Sequence, residues 1–344
     1  MSGRSGRSGK RRQDGPGRPS RPRQQQHTQR DVQSAYQGPR EPPEQPTVRG
    51  WDDTRDFCSA LKIFVNEVGV GGGTTRRNVK EEEAATWTAT ATGTSSAPSR
   101  AACDSTTDDY IHANWITALG EQRFICTQGP LEDDLRRLLD NGLQGEHRKH
   151  CDALRHRRTK QDQSANQYWP TPDKKGGNCT SPTRTITVHF IEETALEPDL
   201  YRTKLAVLSR NGSMYVHHFH WRRWPDRGVP QNELAPLRLL FQVQQFRRSV
   251  VHCSAGENRI RTGTLVALHI AYDTLQRGHR LNILALARNL RQHRAQSVQT
   301  LDQYLYIYYV ILRYAQNKAA DTLNIDERAL TTFLREMDER MTRS

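Results

Sequence analysis

The segment SVVHCSAGENRIRTGT, residues 249–264, constrains this chain more than any other. Ser249, Val250 and Val251 make a short β-rich run, Cys253 stands just after it, and a loop of mostly small residues follows. TGTLVALHIAYDTLQ (262–276) then has the makings of a helix, closed a little beyond by Gly278. A cysteine between strand and helix lies where free backbone N–H groups and the positive end of the helix dipole converge. Such a place binds an anion. The same field favours thiolate over thiol, with pKa values lowered from about 8.5 to roughly 3.5–7.5 at sites of this kind. Cys253 is therefore expected to be ionised at neutral pH. An arginine in the loop, Arg259 or Arg261, can fork two oxygens of a bound phosphate and stabilise charge in a transition state.

The rest of the chain supplies a scaffold for that segment. Phe57, Leu61, Phe64, Val65 and Val68 fall at helical spacing, and Gly71 to Gly73 end the pattern. Residues 84–107 are low in complexity and read as a loop. DYIHANWI (109–116) and RFICTQ (123–128) are extended runs. RTITVHFIEE (184–193), LYRTKLAVLSR (200–210) and SMYVHHFHW (213–221) read as strands, the last two joined by the hairpin pair Asn211-Gly212. Asn282 can cap a helix carrying Ile283, Leu286, Ala287 and Leu290. Thr300 and Gln303 form a capping box for a helix through Leu312, and Leu330, Phe333, Leu334 and Met337 suit a last helix. Strands followed by helices, with one strand–loop–helix crossing, indicate an α/β or α+β domain over about 51–317. A helical extension, 318–344, follows it.

Composition narrows the class. The hydrophobic fraction is 34% and the net charge +13, with eleven Lys/Arg against four Asp/Glu in residues 1–50. That segment carries almost no large apolar residue, so ordering it gains little burial, and it is expected to be a disordered basic tail. Its arginines suit acidic surfaces or nucleic acid. No apolar run approaches the roughly 20 residues of a membrane span, and the N-terminus has no secretory pattern, so a cytoplasmic or nuclear location is expected, with no membrane partner. The six cysteines are widely spaced without a CxxC pair, which argues against both a disulfide framework and a zinc site.

Two further motifs complete a chemistry. WPDRGVP (224–230) offers Asp226 in a Pro-constrained loop, suited to protonating a leaving phenolic oxygen and later deprotonating water. QTLDQY (299–304) adds side-chain amides that can orient that water. DYIHANWI, FICTQGPL (124–131), NQYWP (166–170), HFHWRRWPDRGVP (218–230), VVHCSAG (250–256) and QTLDQYLYIYYVIL (299–312) occur in this order. In them the chain resembles the classical protein tyrosine phosphatases over about 51–317. The resemblance implies a twisted mixed sheet flanked by helices, a phosphotyrosyl protein as substrate, a cysteinyl-phosphate intermediate, and no metal or cofactor. It implies Cys253 as nucleophile, His252 as support for its ionisation, Asp226 as general acid and base, and Gln299 as the residue that places water, with Gln303 beside it. Ser254, Ala255, Gly256, Glu257 and Asn258 would line the phosphate loop. His217, His218 and His220 resemble the strand leading into the acid loop rather than metal ligands.

The chain also departs from the family pattern. HCSAGxGRTGT is usual, whereas HCSAGENRIRTGT is two residues longer. Arg259 keeps the spacing from Cys253 but is followed by Ile260, not by a hydroxyl residue. Arg261 keeps RTGT, with Thr262 at the helix start, but lengthens the cradle. Spacing favours Arg259, and Glu257 is expected to point away from a bound dianion, since like charges at 4 Å repel by roughly 4 kcal/mol at an effective dielectric of about 20. Residues 76–100 have Trp87 as their one aromatic where the family carries a stacking tyrosine, and 131–167 lack the family's buried apolar strand. An active phosphatase is the first expectation. A phosphotyrosine-binding module impaired in catalysis is the alternative.

Overall fold

Apolar side chains recur every three or four residues from Phe57 onward, and in the computed structural model they become helix α1, Arg55–Glu67, with Phe57, Ala60, Leu61, Phe64 and Val65 buried. The structure describes residues 55–68, 113–118, 121–129, 169–170, 178–180, 186–209, 212–222, 224, 229–230, 232, 234–244, 246, 249–253, 260–323 and 326–343. The tail 1–50, the glycines 71–73, the loop 84–107 and the stretch 131–165 lie outside these residues. After α1 come strands β1 (Ala113–Ala118), β2 (Glu121–Gln128), β3 (Asn178–Thr180), β4 (Ile186–Glu197), β5 (Leu200–Ser209) and β6 (Gly212–Trp221). Helix α2 (Ala235–Gln244), strand β7 (Ser249–Cys253) and helices α3 (Ile260–Gln276), α4 (Ile283–His293), α5 (Leu301–Leu323) and α6 (Glu327–Arg343) complete the order.

The described strands form two sheets. One is mixed, in the order β1-β2-β7: β1 runs antiparallel to β2, and β2 runs parallel to β7 with Gln128 opposite Cys253. Parallel neighbours need a long crossover, and here it contains the whole second sheet. That second sheet is antiparallel, in the order β3-β4-β5-β6. Ser209 faces Gly212 across a two-residue connection, the hairpin foreseen from Asn211-Gly212; Asn211 itself lies outside the described residues.

Helix α3 runs through the centre of the core. Leu265, Val266, Ala267, Leu268 and Ala271 are wholly buried, as befits a helix apolar around most of its girth. It packs against α1, α2, α4, α5, β2 and β7. Gly278 ends it in the left-handed region, φ 71°, where the Gly278 N–H reaches the Leu275 carbonyl at 2.9 Å and the His279 N–H reaches Thr274 at 3.0 Å. A Cβ on Gly278 would lie 2.9 Å from Cβ of Asp56, so this turn also sets how closely α1 approaches α3.

Side chains cap the later helices. Asn282 Oδ1 accepts from the Ala285 N–H at 2.8 Å at the start of α4, and Asp326 Oδ1 accepts from Ala329 at 3.0 Å before α6. Helix α5 continues through residue 317 to Leu323. Leu330, Phe333, Leu334 and Met337 of α6 then join the same core cluster as α1 and α3. Asp338 of α6 accepts from both Tyr309 and Arg313 of α5.

Candidate active site

Cys253 closes β7, and Ile260 opens α3 with Arg261 and Thr262 in its first turn. The helix thus begins two residues earlier than composition suggested. The sulfur of Cys253 accepts from the backbone N–H groups of Arg261 and Thr262, which favours thiolate, and the nearby Thr262 hydroxyl acts in the same direction although it is not within hydrogen-bond reach. The two N–H groups are donors that a helix N-terminus leaves unused. The Arg294 guanidinium acts in the same direction. Burial outweighs them: Cys253 is 2% exposed, and loss of water around the sulfur pushes its thiol above the ordinary value. Among the described residues, burial thus opposes the thiolate expected from the sequence. The helix-end donors are present, but desolvation, which a sequence does not reveal, is the larger effect.

His252 is buried, and its Nδ1 lies 3.3 Å from the carbonyl oxygen of Cys253. Cys126 shares a sheet face with Cys253, since it lies two residues before Gln128 on the neighbouring strand. Burial pushes its thiol up to about 12, Arg294 opposes this, and negative charge on Cys253 adds to it. Arg294 is 1% exposed. Its Nη1 donates to Asn114 Oδ1 at 2.5 Å and to the Cys126 carbonyl at 3.0 Å, so one guanidinium ties β1 and β2 together behind the cysteine.

The glutamine motif is built on a tight backbone. Gln303 is fully buried, and its Oε1 accepts from the Gln299 N–H at 3.0 Å and the Thr300 N–H at 3.4 Å, while the Gln303 N–H donates to Thr300 Oγ1 at 3.2 Å. The capping box is thus formed, and the Gln303 carbonyl oxygen faces its own helix end. Gln299 is half-buried. Just before it, Gln296 and Val298 have φ of 61° and 55°. A β-branched residue rarely adopts such a φ, and holding it costs on the order of 1–3 kcal/mol. Arg291 donates from Nε to the Ser297 carbonyl at 3.1 Å and from Nη2 to the Val298 carbonyl at 2.8 Å. Burial lowers its own pKa to about 10. Gly263 of α3 lies against the same turn, where a Cβ would come within 2.8 Å of the Val298 nitrogen and 3.0 Å of Ser297.

Asp226 and the loop residues Ser254, Ala255, Gly256, Glu257, Asn258 and Arg259 lie outside the described residues. Both ends of the acid loop are described. Trp224 is wholly buried, 5.2 Å from Trp221 and 6.4 Å from Tyr306 between ring centroids. The turn between β4 and β5 grips each end. Asp199 accepts from the Arg222 N–H at 2.7 Å, and Glu197 pairs with Arg238 and accepts from Asn232 at 3.4 Å. Asn232 Oδ1 in turn accepts from the Ala235 N–H at 3.2 Å, capping α2. His218 and His220 pack on Trp169 at 4.5 and 5.0 Å, and His217 stacks on Phe246 at 5.4 Å.

The structure therefore brings Arg261 and Thr262 to the sulfur of Cys253, sets His252 against the Cys253 carbonyl, and places Gln299 with Gln303 at the start of α5. Sequence reasoning missed Arg294, Asn114, Arg291, Gly263 and Cys126. A basic residue in NLRQHR reads as solvated. The one usable signal was Gly263 in RTGT, a glycine inside a helix that commonly marks a close backbone approach.

The family model described as protein-tyrosine phosphatase matches residues 98–313, and the chain belongs to that family. It is 29% identical over 240 residues to mouse tyrosine-protein phosphatase non-receptor type 2, an overlap of 67% of this chain and 57% of that protein. It is 32% identical over 228 residues to human receptor-type tyrosine-protein phosphatase H, an overlap of 61% of this chain and 19% of that protein. The chain thus spans about half the length of the first relative and much less of the second. Among solved structures, the catalytic domain of human protein tyrosine phosphatase non-receptor type 18 superposes with a TM-score of 0.55 at 20% identity, over 75% of this chain and 99% of that one. PTPN18 in complex with HER2 phosphopeptides gives a TM-score of 0.59 at 21% identity, over 74% of this chain and 98% of that one. At that identity the likeness is one of fold. Among the described residues no helix is long and apolar enough to cross a membrane.

Proposed function

We propose that this chain hydrolyses phosphotyrosine in proteins through a cysteinyl-phosphate intermediate on Cys253. The observation that carries the proposal is the sulfur at the end of β7 accepting from the Arg261 and Thr262 N–H groups at the start of α3. Donors so aimed stabilise an anion on sulfur and, by the same geometry, the oxygens of a phosphate brought against it.

In the first step the thiolate attacks phosphorus, an S–P bond forms, the aryl P–O bond breaks, and Asp226 gives its proton to the departing phenolic oxygen. In the second, Gln299 places a water that attacks phosphorus while Asp226 takes its proton. The S–P bond breaks and the thiolate returns, stabilised by the Thr262 hydroxyl. Because burial raises the Cys253 thiol, this chemistry needs positive charge close to the sulfur in addition to two N–H groups. The charge that acts on the sulfur is that of Arg294, while Arg261 reaches it through its backbone N–H; Arg261 is taken for the phosphate ahead of Arg259, which loop spacing favours, because it is buried in that turn. The substrate class rests on the family and on the phosphopeptide complexes of PTPN18. The free thiols of Cys58, Cys126 and Cys253 suit a reducing, cytoplasmic or nuclear setting.

Purified chain is expected to hydrolyse both p-nitrophenyl phosphate and a phosphotyrosyl peptide, and Cys253→Ser to abolish both. Arg261→Ala is expected to cost more than Arg259→Ala. A chain that binds the peptide without turnover would be the binding module instead.

A further inference from the structure

The peptide unit joining Val298 to Gln299 is held at both of its polar ends. Its carbonyl accepts from Arg291 Nη2 at 2.8 Å, and its N–H donates to Gln303 Oε1 at 3.0 Å. Arg291 also holds the preceding carbonyl, that of Ser297, at 3.1 Å. Holding the oxygen and the N–H of one planar amide by directional hydrogen bonds restrains its orientation, and with it the backbone that carries the Gln299 side chain. That orientation is not one the chain adopts readily, because Val298 is held at φ 55°. On the opposite side α3 presents Gly263, where any side chain would displace the Val298 nitrogen. A fork of two donors, a side-chain acceptor and a notch thus converge on a turn of three residues.

We propose that Arg291 is a positioning residue for the second chemical step: it holds the strained Ser297–Val298 backbone so that Gln299 can direct water at the phosphocysteine. The proposal rests on the phosphatase reading given above. Arg291 has no part in the first step, since cysteine attack and phenol departure do not use Gln299. The two steps therefore separate its role from general support of the fold. Slowing only the breakdown of a covalent intermediate lowers kcat and KM together and leaves kcat/KM unchanged, whereas general damage to the site lowers kcat/KM.

The experiment is rapid-quench and steady-state kinetics of the full chain with p-nitrophenyl phosphate, comparing the unmutated protein, Arg291→Ala and Arg291→Lys. For Arg291→Ala we expect kcat to fall about tenfold or more, with kcat/KM within about twofold and phosphoenzyme accumulating on quenching. Arg291→Lys retains the charge and one donor, so it should show the same partition at smaller size, and it serves as the test if the alanine variant does not fold. Equal falls in kcat and kcat/KM, or no change in either, would overturn the assignment of Arg291 while leaving the phosphatase reading intact. An unmutated chain that releases no p-nitrophenol would overturn the phosphatase reading, and this assignment with it.

Discussion

Arg294 and Asn114, 180 residues apart in the chain, meet in the core through a 2.5 Å hydrogen bond from Nη1 to Oδ1. The same guanidinium serves the Cys126 carbonyl and lowers the thiol of Cys253. Arg294→Ala would leave two buried acceptors without this donor and a void beside them. The expected cost is about 3 kcal/mol in urea unfolding, together with a shift of Cys253 alkylation to more alkaline pH. Unchanged alkylation in a folded variant would separate Arg294 from the thiol.

The buried thiols should weaken the fold at alkaline pH. The Cys126 thiol is held at about 12 in the folded chain, against about 8.5 for an unfolded cysteine. Between the two values the folded state keeps a proton that the unfolded state has lost, so stability falls as pH rises past the unfolded value. The slope approaches about 1.4 kcal/mol per pH unit for this group, and Cys253, also raised, adds the same sign. Cys126→Ala is expected to show a shallower decline in urea midpoints between about pH 7.5 and pH 10. Parallel declines would count against a buried neutral thiol at this position.

At Gly278 the φ of 71° and the 2.9 Å approach of Asp56 act together. Gly278→Ala should cost roughly 1–2 kcal/mol and lower Tm by a few degrees. Shortening Asp56 to alanine should not restore it, because the crowded atom is the Asp56 Cβ itself.

Helix α6 should not be dispensable. Phe333 is 1% exposed within the main cluster, so Phe333→Ala is expected to cost about 3–5 kcal/mol. A chain ending at residue 317 loses Leu330, Phe333, Leu334 and Met337 at once, and with them burial of about 1.5–3 kcal/mol each. Comparison of expression and melting of the two lengths checks this directly.

What local pattern dictates was legible in the sequence. The 3.6-residue recurrence marked α1, α4 and α6, Asn211-Gly212 marked the β5–β6 hairpin, and Thr300 with Gln303 marked the start of α5. Cys253 was found because a strand end followed by a helix start is itself a local pattern. What depends on burial was not legible. Arg291 and Arg294 carry charge and read as surface residues, yet Arg291 folds onto the turn that follows its own helix, and the partners of Arg294 come from strands that only the tertiary fold brings near. The raised thiol of Cys253 has the same origin, since its donors could be read from sequence and its desolvation could not. The positive φ of Val298 contradicts that residue's own preference, and nothing short of the surrounding contacts reveals it.

The fit of Gly263 against Ser297 and Val298 has a consequence for the unusual length of the HCSAGENRIRTGT segment. A helix locked at its fourth residue against a neighbouring turn, with the two N–H groups before that residue committed to a sulfur atom, resists sliding or rotating to absorb inserted residues. Six residues, 254–259, separate the strand end at Cys253 from the helix start at Ile260. Changes of length there would leave the scaffold, and the turn that carries Gln299, in register.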